Sequence, residues 1–196
     1  MTPWDLAGLT RSVFVGLPLS ARVAVCAMPY LGWGYDSKHP SVAYPSGSVP
    51  DCVVYAGRAG QFEDHEKTDC STQATSILMA CYPDAPWDWL AYTELQLFCE
   101  PFVSDSPIEA VRRMGIGYRV DRFYVGSWHL VQGWREANPP AGGGHLFLVY
   151  AEATFLQVLE ATGTSKGGIG PQFSQKREED MHARYTLLHI ARLQDG

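Results

Sequence analysis

The sequence predicts an α+β fold in which a helix carrying Cys70 packs on an antiparallel sheet. Three observations predict it. Gln73 to Tyr82 sets Ala74, Ile77, Leu78 and Cys81 at helical spacing. Leu146 to Tyr150 and Phe155 to Ala161 are short apolar runs around a turn at Glu152 to Thr154, which reads as two neighbouring strands. At 196 residues, 46% of them hydrophobic, the chain is long enough for one full core, and no linker or repeat divides it. The expected organisation is a single domain over 1–196 with an insert at about 36–67.

In chain order, residues 36–67 are rich in Pro, Gly, Ser and Tyr, with Val53 to Tyr55 as a short strand, and read as one wall of a substrate groove. Asp69 and Ser71 are good capping residues just ahead of the Gln73–Tyr82 run, so Cys70 falls in the first helical turn. Pro83 to Pro86 break the chain, and Trp87 to Tyr92 suggests another helix. Ser106, Pro107 and Glu109 supply cap, first position and capping box for a helix over Pro107 to Met114 that stops at Gly115. Val120 to Val125 reads as a strand, Trp128 to Glu136 as a mixed segment and Gly163 to Gly170 as a mobile glycine-rich loop. Tyr185 to Ala191 reads as a final strand with His189 at a surface position.

The chemistry-bearing residues follow an order. A helix start carries partial positive charge, which favours the thiolate of Cys70, the form that attacks carbonyls. Gly142-Gly143-Gly144-His145 opens the first strand of the pair, leaving His145 at a sheet edge with glycine beside it. Glu160 lies on the second strand. Nucleophile, base and orienter thus stand in the order Cys70, His145, Glu160, which is what a thiol activated by an imidazole of fixed tautomer requires. Gln157 rivals Glu160 as third residue, and alternation favours Glu160 only if Gln157 faces the other side of the strand. His129 is the chief rival to His145. His65, among Glu63, Asp64, Glu66 and Lys67, reads as a solvated loop residue.

Asp69-Cys70-Ser71, Gly144-His145, Val158 to Thr162 and the aromatic loop Pro29 to Tyr35 resemble the motifs of the NlpC-type (NlpC/P60-like) cell-wall peptidases, which are papain-like cysteine hydrolases. The resemblance covers roughly residues 21 to 162 in short islands, with Ala21 to Met28 as the leading helix. It departs from the family pattern at Thr72, where glycine is usual, at the insert, and at Glu160, where His, Asn or Gln is common. The resemblance implies a papain-like fold and hydrolysis of a peptidoglycan stem-peptide amide by Cys70, His145 and Glu160. It also implies an oxyanion hole formed by the Tyr35 hydroxyl and the Cys70 amide, with Tyr30 as second match and Trp33 and Ser71 beside the substrate. The same fold hosts acyltransferases and transglutaminase-type enzymes, and a non-catalytic module of a phage or secretion particle would keep it without an activated thiol.

Composition bounds the partners. A net charge of −6 with no basic cluster argues against nucleic acid. Five cysteines, none in a Cys-x-x-Cys pair, argue against a disulfide framework, and no His or Cys pair has the spacing of metal ligands, so neither metal nor cofactor is expected. The Gly163–Gly170 stretch lacks the Gly-Lys-Ser/Thr ending of a phosphate loop. Val13 to Leu19 is short, carries Pro18 and follows Asp5, so no signal peptide or membrane span is read. The expectation is a chain cytoplasmic as synthesised. If its substrate is the wall, it would reach it through a secretion apparatus, a phage particle or lysis, with a delivery or immunity partner.

Overall fold

A computed structural model describes residues 3–35, 67–88, 90, 94–95, 106–134, 144–162 and 169–195. The insert read over 36–67, apart from Lys67, lies outside them, as do His65 and Val53 to Tyr55. Of the helix expected over Trp87 to Tyr92, Trp89, Ala91 and Tyr92 lie outside them; Trp87 and Asp88 are not helical and Leu90 is.

The chain begins with three helices, α1 (Pro3–Leu6), α2 (Arg11–Val15) and α3 (Leu19–Ala27), and a 3-10 turn at Met28–Tyr30. Two short strands follow, β1 (Gly34–Tyr35) and β2 (Lys67–Thr68), and β2 runs straight into α4 (Cys70–Cys81). Next come α5 (Ser106–Arg113), β3 (Gly117–Val120), β4 (Trp128–Trp134), β5 (Gly144–Ala151), β6 (Leu156–Thr162), β7 (Ile169–Lys176), α6 (Glu178–Arg184) and β8 (Leu187–Leu193). The strands form one sheet in the order β2-β1-β7-β6-β5-β4-β8-β3. From β7 to β3 every neighbouring pair is antiparallel, and β2 lies parallel to β1 at the far edge. The expected α+β class with a helix on an antiparallel sheet therefore holds.

Both faces of the sheet are covered, and side-chain alternation sorts its residues between two cores. Leu130, Leu146, Leu148, Leu159, Ala191 and Leu193 pack with α3, α4 and α5, in the same core as Cys70, Ala74 and Ile77. Their neighbours Val131, Phe147, Val149, Val158 and Ile190 point the other way and pack with Met181 of α6 and with Tyr185. Arg22 of α3 donates from Nη1 to the carbonyl of Cys81 at 2.7 Å, so a buried guanidinium satisfies the end of α4.

Several expectations are corrected. Val120 to Val125 is not a strand: β3 ends at Val120 and the chain bends at Asp121, although Phe123 is still buried. The mixed segment from Trp128 is a regular strand, buried along its whole length. Ile169 and Gly170, assigned to a loop, open β7. His189 is buried, edge-on to Trp134 at 5.1 Å, and not a surface residue.

Candidate functional site

Cys70 is the first residue of α4. Asp69 caps the helix by accepting from the Thr72 amide at 2.7 Å, and the Ser71 hydroxyl donates to the same carboxylate oxygen at 3.2 Å. Cys70 is buried at 4% exposure, and Asp69, Ser71, Thr72 and Gln73 beside it in the chain are buried too, so the helix start lies inside the protein among polar residues. The short β2 strand delivers the chain to this point, and α4 then packs on α3, β5 and β6. Tyr35 belongs to β1 in register with Thr68, and its side chain lies outside the described residues. Tyr30 is fully buried and its hydroxyl bonds the Ser76 hydroxyl, deeper along α4 than Cys70. This tether replaces the oxyanion role considered for Tyr30. Trp33 stands edge-on to Tyr30 at 5.2 Å and packs on the core.

The expected His145–Glu160 pair is formed. His145 Nε2 lies 2.9 Å from Glu160 Oε2, and the ring stacks on Phe147 at 5.0 Å and on Tyr185 at 6.4 Å. Gln157 sits an odd number of residues from Glu160, opposite Tyr150, and faces away from the pair. Two further residues complete the cluster: Lys176 of β7 bonds Glu160 Oε1, and Arg184 Nη1 lies 3.5 Å from the same oxygen. Glu160 is 3% exposed. Burial alone would raise its carboxyl, but the bonds from His145 and Lys176 outweigh burial and bring it to about 2. Burial lowers His145 below its ordinary value, and Arg184 and Lys176 add to that lowering against the pull of Glu160. The pair at neutral pH is thus a neutral imidazole bonded to a carboxylate.

Sequence reasoning missed Lys176 and Arg184. The available signal was Glu160 itself, because a carboxylate inside an apolar run calls for cationic partners. Those partners lie on β7 and α6, which had not been recognised as elements.

The structure does not bring Cys70 and His145 together. Leu146, next to His145, faces α4, whereas His145 shares its face with Phe147 and lies in the opposite layer with Tyr185 and Arg184. The charges that act on His145 are those of Glu160, Arg184 and Lys176, all in that layer. This corrects the ordered triad: its second and third members meet each other on the far side of the sheet from the first. The other described imidazoles are placed as follows. His129 faces the same layer as Phe123, burial lowers it to about 4, and its Nε2 accepts from the Tyr124 amide at 3.0 Å. His182 is exposed on α6 beside Glu178. His189 faces the α4 side of the sheet, being paired with Gln132 and through it with Leu146.

Comparison with models of protein families, with curated proteins and with solved structures returned no match. Among the described residues no group of three His, Cys, Asp or Glu side chains is placed to hold a metal ion. No described helix is long and apolar enough to cross a membrane.

Proposed function

We propose that this protein is a thiol hydrolase of amide bonds in which Cys70 is the nucleophile. The observation that supports it is the position of that thiol, in the first turn of a twelve-residue helix with a capped start and a buried polar surround. Backbone N–H groups at a helix N-terminus stabilise negative charge, so the same donors serve the thiolate before attack and the oxyanion after it. Cys70 adds to the carbonyl carbon, the amine leaves with a proton, and water hydrolyses the thioester. The resemblance to NlpC-type peptidases extends the proposal to a papain-like fold and to peptidoglycan stem peptides as substrate. In this reading His145 and Glu160 brace the sheet against α6 and transfer no proton.

A second reading is favoured by the placement of His145 across the sheet from Cys70: a non-catalytic binding or structural module needs no such pairing. One experiment divides the two. The protein and Cys70→Ala are incubated with purified sacculi, with released fragments read by mass, while iodoacetamide alkylation of Cys70 is followed against pH. Fragments released only by the parent protein, with alkylation well below pH 8, support the hydrolase. Equal fragment patterns and alkylation only above pH 8 overturn it in favour of the module.

A further inference from the structure

At the end of the sheet away from Cys70, where β4 begins and β8 finishes, lies a cavity of about 440 Å³. Its walls include Ser20 at the start of α3, Tyr118, Ser127, Trp128, Arg192 and Asp195. Arg192 is fixed there before any ligand arrives. Its Nε donates to the Ser127 hydroxyl at 3.0 Å, Nη1 donates to the Tyr118 hydroxyl at 3.2 Å, and the guanidinium lies over the Tyr124 ring at 5.0 Å. Among the described residues no carboxylate pairs with it. Neutral hydroxyls and an aromatic face hold the fork in place with no described carboxylate bonded to it, which is the preorganised state that favours carboxylate recognition.

The opposite charge stands in the same cavity. Asp195 Oδ1 accepts from the Leu19 amide at 2.8 Å, which anchors the carboxylate at the first turn of α3 on the cavity wall. The Trp128 indole, tied to the Ser20 hydroxyl at 3.2 Å, is buried and backs the cavity with its polar edge satisfied. A cation and an anion on one cavity disfavour a polyanion and favour a ligand bearing one charge of each sign.

We propose that this cavity binds a small zwitterion, an amino acid or dipeptide with free amine and free carboxylate, the carboxylate on Arg192 and the ammonium on Asp195. The site stands independently of the thiol chemistry at Cys70. Titration calorimetry with glycylleucine, N-acetylglycylleucine and glycylleucinamide tests it, alongside Arg192→Gln and Asp195→Asn. Saturable binding of glycylleucine is expected, weakened about tenfold or more in either capped derivative and in either variant, as loss of a charge-assisted contact implies. Binding of the capped derivatives as tight as that of the parent dipeptide overturns the proposal, as does absence of binding at millimolar dipeptide. Should Arg192→Gln fail to fold, the capped ligands and Asp195→Asn still decide the matter.

Discussion

Glu160→Gln is the most demanding perturbation of this fold, because it removes one charge and keeps the shape. The carboxyl moves from an ordinary value of 4.5 to about 2 in the folded protein, which corresponds to about 3 kcal/mol of stability at neutral pH. At 3% exposure there is little solvent screening to reduce that figure, although Lys176 and Arg184, at 20% and 28%, can turn toward water once their acceptor is gone. A lowered carboxyl contributes stability that is fully present above 4.5 and is lost as pH falls through about 2, and the glutamine variant lacks that dependence. Urea unfolding of the two proteins should therefore differ by about 2 to 3 kcal/mol at pH 7, with the gap narrowing below pH 4. The rate of Cys70 alkylation should be the same in both, since the thiol lies across the sheet. A gap that does not change with pH would refute the assignment of the stabilisation to the carboxylate. A slowed alkylation would refute the separation of the two layers.

Two other perturbations probe the same layer. A Cβ at Gly133 would stand 2.8 Å from the ring of Tyr185, which is itself buried and cannot swing into solvent, so Gly133→Ala should cost about 1 to 3 kcal/mol and alter the near-UV circular dichroism. Unchanged stability would show that Tyr185 does not lie on β4. His129 should titrate near pH 4 by NMR with the proton on Nδ1 in its neutral form, because burial lowers it and Nε2 is taken by the Tyr124 amide. A lowered imidazole binds fewer protons than in the unfolded chain, so its contribution to stability is lost as pH falls from 6.5 through 4, and titration near 6.5 would contradict the burial.

The parts of the fold legible in the sequence are those with a strong local period. Ala74, Ile77, Leu78 and Cys81 define α4, Ser106 to Gly115 defines α5, and the runs after His145 and Thr154 define β5 and β6. β7 and α6 escaped because polar residues dominate them: Gln172, Ser174 and Lys176 in the strand, Glu178, Glu179 and Asp180 in the helix. Their large apolar residues are Ile169, Phe173 and Met181, too few for a pattern. His189 was misjudged for a different reason. Alternation implies a wet face only when one side of a sheet is open, and here helices cover both sides of β8.

The candidate site shows the same limit at finer scale. That His145 and Glu160 would meet was legible, because neighbouring antiparallel strands bring like faces together and both residues fall on one parity of the β5–β6 register. Which face that was could not be read, since one residue of shift carries a side chain from one layer to the other. The outcome is set by β4, which pairs with β5 without interruption from Trp128↔Tyr150 to Trp134↔Gly144. For His145 to face α4, that ladder would need a bulge between His145 and Leu146, and Leu146 would leave the core that also holds Cys70. The break in register falls elsewhere, on β6 between Glu160 and Thr162, where it leaves the His145–Glu160 contact intact. The hydrolase proposal rests on the α4 terminus as the element that favours the thiolate, so the pH at which the thiol alkylates is the quantity on which it stands.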